Sequence, residues 1–195
     1  MLTETWQNGM LIEKGKKRDM IFEEKTLKSE KIYDGAIINL RRDKVTVQGG
    51  TSYREIIEHN GGAVIAALTD DKKLVMVRQY RKPAEKVMLE VPAGKIDPGE
   101  KPLEAAVREL KEETGYTASK VEFLTDFYPS VGYSEEKLYL YLCTGLTPGE
   151  TCFDENEAID IEEIELDELL KMVLTGEIDD AKTIIAILMV KAMAG

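Results

Sequence analysis

Histidine is nearly missing from this 195-residue chain: His59 is the only one, beside one tryptophan and two cysteines. A single imidazole excludes a histidine-built metal centre, and His59 reads as a strand end. Cys143 and Cys152 lack the paired spacing of a zinc site and form no disulfide framework, so both read as reduced thiols. No stretch of 18 apolar residues occurs, so no transmembrane helix is expected. The N-terminus, MLTETWQNGMLIEKGKKRD, lacks the apolar centre of a signal peptide, which points to the cytoplasm. Positive charge is scarce as well: 26 Lys and Arg against 37 Asp and Glu leave a net charge of −11. That is the wrong sign for a protein that tracks nucleic-acid phosphates. It leaves room for a small anionic ligand held by a metal and a few arginines.

What is present is a globular composition, 43% hydrophobic and 32% charged. Residues 1–19 are polar and unpatterned, a leader open to disorder. Residues 20–59 read as a β-rich segment, in which IINLRRDKVTV and TSYREIIEH flank a QGG turn. Residues 60–195 read as the main domain. GAVIAALT and KLVMVRQY are apolar enough for buried strands, and KVMLEVPAG gives a short strand ending near Val91. A loop punctuated by Gly94, Pro98 and Gly99 precedes a helix from Pro102 to Thr114, with Gly115 as its stop. Leu103, Ala106, Val107 and Leu110 are its expected apolar stripe. Strands at KVEFLTDFYPS, EKLYLYLCT and IDIEEIEL follow, then helices near Asp167–Leu174 and Asp179–Ala194. Strands and helices mix without regular βαβ alternation. The expected class is α+β, an α-β-α sandwich of helices on a mixed sheet.

That first helix carries Glu109, Glu112 and Glu113 three and four residues apart, on one face. Two like charges about 6 Å apart repel by roughly 3 kcal/mol at an effective dielectric near 20. One reading is a solvated acidic face, with Glu104–Arg108 and Arg108–Glu112 as i,i+4 pairs. The other is a site for Mg²⁺ or Mn²⁺, because hard oxygen ligands suit those cations and a cation turns the repulsion into binding. A metal there recruits a polyphosphate.

GKIDPGEKPLEAAVRELKEETGY resembles the signature of the Nudix hydrolases, which cleave nucleoside diphosphates linked to another group. Gly94, Glu100, Arg108, Glu109, Leu110, Glu112, Glu113 and Gly115 fall on its fixed positions, and Tyr116 departs from the usual final aliphatic. The resemblance implies a Nudix fold and a divalent metal, Mg²⁺ with Mn²⁺ as the alternative. Its ligands would be Glu109, Glu112, Glu113 and the Ala93 carbonyl. Arg108 would hold the glutamates in place, and Glu100 would brace Arg108.

From about Phe22 to Met193 the chain is similar to the ADP-ribose pyrophosphatase branch, through SYREIIEHNGGAVIAALT, VRQYRKP, LEVPAGK, SVGYSEEKLYLYL and EIDDAKTIIAI. That branch implies a homodimer built by the N-terminal β segment, with substrate contacts from Arg54, Glu55, Arg81, Ser130 and Gly132. Val131 stands where the branch usually has proline, and Tyr133 lies near a tyrosine of dinucleoside-polyphosphate hydrolases. Nucleotide sugars and dinucleoside polyphosphates are therefore the alternative substrates, and a non-catalytic ligand sensor is a third reading. In the related enzymes a glutamate of the loop before the last strand is the general base. Glu155 matches it best and Glu157 next.

Overall fold

The computed structural model describes residues 5–7, 10–12, 22–152 and 159–194. Its architecture turns on β6 (Gly62–Ala67), which is buried along its whole length. Ala63, Ile65 and Ala67 belong to one apolar cluster. Val64 and Ala66 belong to another. A strand covered on both faces has no polar alternation, which is why GAVIAA reads as one apolar run. β6 pairs in parallel with β11 (Leu138–Thr147) and antiparallel with β9 (Ala93–Lys95), while β10 (Thr117–Phe127) closes the far side of β11. A second, antiparallel sheet has the order β12 (Ile159–Glu165), β7 (Lys73–Arg81), β8 (Lys86–Glu90).

The helix α1 (Pro102–Thr114) contributes Ala105, Ala106 and Leu110 to the first cluster. The helices α2 (Leu166–Thr175) and α3 (Ala181–Ala194) contribute Leu166, Leu169, Ala186, Ile187 and Val190 to the second. Helices thus cover both faces of the β layer, as the sandwich reading expects. Between β8 and β9 the chain passes from one sheet to the other at Pro92, whose carbonyl accepts the Ile65 N–H at 2.9 Å. This crossing sets Ala93 and Gly94 beside the acidic helix.

The N-terminal segment is a three-stranded antiparallel meander of β3 (Thr26–Asp34), β4 (Asn39–Val47) and β5 (Gly50–Glu58). β4 and β5 form the expected hairpin. β3 has no apolar pattern because it is exposed on both faces. Within the leader, β1 (Thr5–Gln7) and β2 (Met10–Ile12) pair antiparallel. The meander is held to the rest of the chain by two backbone bonds, Ile57 N–H to Tyr133 O at 2.7 Å and Glu135 N–H to Ile57 O at 2.9 Å. Arg41 adds a side-chain tie, donating to Glu58 at 2.8 Å and to Glu135.

The inner face of α1 differs from the expected stripe. Leu103 and Val107 are 46% and 50% exposed. The buried positions are Ala105, Ala106, Leu110, Glu113 and Thr114. Close approach to β6, itself rich in alanine, favours the small residues over the larger ones. Glu109 and Glu113 continue this face, each spaced i+4 from the residue before it, Ala105 to Glu109 to Glu113. The Glu104–Arg108 pair does not form either: Glu104 pairs with Lys101 at 3.6 Å, and Arg108 turns to Glu100.

Candidate active site

A cavity of about 710 Å³ opens where α1, β9, the end of β7 and the start of α3 meet. Arg81, Ala93, Arg108, Glu109, Glu112 and Glu113 line it, together with Gly94, Lys95 and Asp97. Glu113 is 5% exposed, and its carboxylate accepts the Ala93 N–H at 3.0 Å. Glu109 is nearly as enclosed, and Glu112 lies at the open rim.

Arg108 organises this wall. Its Nε and Nη2 donate to the two oxygens of Glu100, both at 2.9 Å. Nη1 donates to Glu109 at 2.7 Å and to Glu112 at 2.9 Å, and Nη2 also reaches the Lys95 carbonyl at 3.1 Å. A guanidinium has five N–H donors, so all are engaged and none is left for a substrate. The paired carboxylates, Glu100 first, raise the Arg108 pKa above its ordinary value. Reciprocally, Arg108 and then the Asp97 N–H hold Glu100 well below the usual carboxylate range, at about 2.

Two glycines permit the arrangement. A Cβ at Gly94 would overlap the Glu109 carboxylate. At Gly115, φ is 73° and the cap N–H returns to Lys111 O, ending α1 in the left-handed region. A Cβ there would also stand 2.6 Å from the Gly149 carbonyl. Gly94→Ala is expected to lower stability by about 1–3 kcal/mol through overpacking and to push Glu109 off the wall. Urea unfolding checks the first effect, and a crystal structure of the variant checks the second.

Among the described residues, no three His, Cys, Asp or Glu side chains form a ready-made metal-ligating group. The donor chemistry still fits a hard divalent cation. Glu109, Glu112 and Glu113 share one helix face, and bare Gly94 lets backbone come flush against Glu109.

The other expected residues lie elsewhere. Arg54, on β5, donates to Glu24 at 2.8 Å, and neither it nor Glu55 lines this chain's cavity. Ser130 and Gly132 sit in the turn before β11, also away from the cavity lining; the Ser130 carbonyl accepts the Ser134 N–H at 3.1 Å. Glu155 and Glu157 fall outside the described residues. The chain enters that segment at the site, however: Cys152 lines the cavity and its N–H donates to the Glu112 carbonyl at 3.0 Å.

Among the cavity residues that sequence reasoning missed are His59 and Lys182. β5 ends at Glu58, and His59 turns to the cavity with Nδ1 accepting the Gly61 N–H at 3.0 Å. Lys182 enters from the first turn of α3. The available signal was a cation placed where the helix dipole disfavours one.

The NUDIX domain family model matches residues 59–186. The chain is 45% identical over 170 residues to the methanol dehydrogenase activator of Bacillus methanolicus, covering 86% of this chain and 92% of that protein. It is 43% identical over 168 residues to the ADP-ribose pyrophosphatase of Bacillus subtilis, covering 85% and 91%. A crystal structure of an ADP compounds hydrolase superposes with a TM-score of 0.78 at 24% identity, over 89% of this chain and 95% of that one.

Proposed function

The chain belongs to the Nudix family, and on that premise we propose that it hydrolyses the diphosphate of ADP-ribose to AMP and ribose 5-phosphate. The observation that carries the reading is the glutamate wall organised by Arg108 inside a cavity of nucleotide size, about 710 Å³. The similarity to the ADP-ribose pyrophosphatase of Bacillus subtilis over most of the chain supports the substrate.

Glu109, Glu112, Glu113 and the Ala93 carbonyl are the proposed holders of Mg²⁺ or Mn²⁺. Such a cation neutralises phosphate charge and makes water a better nucleophile. Arg108 keeps Glu109 and Glu112 in place. Arg81 donates to phosphate. Glu155 takes the proton from the water that attacks one phosphorus in line, and the bridging P–O bond breaks.

The protein acts as a cytoplasmic homodimer on a small nucleotide, without nucleic acid or membrane. Two features support the dimer. Arg54 and Glu55 have no place in their own chain's cavity. Their sheet also exposes Leu27, Ile32, Tyr33 and Tyr53. No helix among the described residues is long and apolar enough to cross a membrane.

The test is a panel of ADP-ribose, a nucleotide sugar and a dinucleoside polyphosphate with Mg²⁺, with sedimentation in parallel. The highest kcat/KM should fall on ADP-ribose and the protein should sediment as a dimer. A nucleotide sugar hydrolysed tenfold better would replace the substrate, and a micromolar monomer would remove the shared site.

A further inference from the structure

Glu90 is a carboxylate 1% exposed inside a protein core, at the end of β8. Burial pushes its pKa up, and Arg81 and Lys182 more than offset this, leaving it below its ordinary value. Arg81 donates to it twice, Nε to Oε1 at 2.8 Å and Nη2 to Oε2 at 2.9 Å. The Lys182 ammonium also bonds Oε2, and donates to Asp180 at 3.0 Å. Asp180 in turn accepts the Thr183 N–H at 3.0 Å and its hydroxyl at 2.6 Å, and that hydroxyl accepts the Val91 N–H.

The plain account is structural: the cluster ties α3 to β8. A buried ion network is a poor choice for that task, because well-packed apolar groups stabilise as much or more. Two rules are broken together here, a buried charge in a strand and a lysine in the first turn of a helix. Such departures concentrate at functional sites. Both cations also end on the cavity. Arg81 lies close enough to Glu113 to feel its charge. Among the described residues, the bonds above leave the Nη1 amino group of Arg81 and one N–H of Lys182 without an acceptor.

We propose that Lys182, held on Glu90, extends the phosphate contact already assigned to Arg81 into a subsite of the cavity, with Lys182 a further substrate-binding residue. Glu90 and Asp180 between them balance the two cations, so the subsite offers fixed N–H donors rather than surplus charge. Each cation lines the cavity and keeps a donor beyond these bonds, and Glu90 and Asp180 hold the ammonium at a set point on the wall. The subsite takes diphosphate oxygens turned away from the glutamates, so the diphosphate is gripped from two sides. The inference rests on the cavity being a nucleoside-diphosphate site, but not on ADP-ribose being the substrate.

The test uses α,β-methylene-ADP, whose diphosphate resists cleavage, and adenosine, which has none. Binding of each is measured by calorimetry with Mg²⁺ for the full chain. Lys182→Met should weaken α,β-methylene-ADP about tenfold and leave adenosine within twofold, and Lys182→Arg should recover most of the loss. Should Lys182→Met fail to fold, E90Q/K182M removes both charges together and should show the same selective loss. Equal binding of α,β-methylene-ADP by folded variant and parent overturns the proposal. So does an equal loss for both ligands, or no binding of α,β-methylene-ADP by the parent. A parent that binds this ligand selectively but leaves ADP-ribose intact would contradict the substrate reading alone.

Discussion

Glu113→Gln is expected to lower kcat for ADP-ribose by about 10²–10³, the loss of roughly 3–4 kcal/mol of transition-state stabilisation. The fold should survive, because the amide oxygen of glutamine can still accept the Ala93 N–H that Glu113 accepts at 3.0 Å. In metal-free buffer the variant should be as stable as the parent or more so. Glu113 is the most enclosed of three carboxylates on one helix face, so removing its charge relieves repulsion. Activity and stability therefore move in opposite directions, which simple damage to α1 would not produce. Steady-state kinetics with urea unfolding in EDTA checks both. Near-normal turnover would return α1 to the role of a solvated acidic face.

Glu155→Gln is expected to lower kcat by about 10²–10⁴ with a much smaller change in KM. The residue is proposed to take a proton during the reaction, so ground-state binding should not need it. Metal affinity should barely change, which separates this variant from Glu113→Gln. Glu157→Gln is the control and should be milder. Both glutamates follow Cys152, whose N–H is bonded to the Glu112 carbonyl, so the segment starts at the acidic wall. Kinetics of both variants at saturating Mg²⁺ decides the assignment. A crippled Glu157→Gln beside an active Glu155→Gln would move the base by two residues. Two active variants would return the role to the glutamates of α1.

The parts legible in the sequence were those with local causes. Pro102 and Gly115 bound α1 because backbone geometry alone demands it. The apolar run at β6 told of two covered faces. The inner face of α1 was legible at Ala106 and Leu110 but not at Ala105, because Leu103 and Val107 outweigh alanine in hydrophobicity while the tight approach to β6 selects small residues. β3 carried no pattern, since a strand exposed on both faces needs none. Lys182 escaped notice because its partner Glu90 lies 92 residues away, and only the tertiary packing of α3 on β6 and β11 brings them together.

Release of AMP from ADP-ribose, followed in one sample through chelation and return of metal, tests the glutamate wall most directly. The expected course is AMP and ribose 5-phosphate in equal amounts with Mg²⁺, a halt on adding EDTA, and recovery when Mg²⁺ is restored in excess. Turnover that continues unchanged in EDTA, or an absence of AMP with Mg²⁺ present, would contradict a metal-dependent ADP-ribose pyrophosphatase built on Glu109, Glu112 and Glu113.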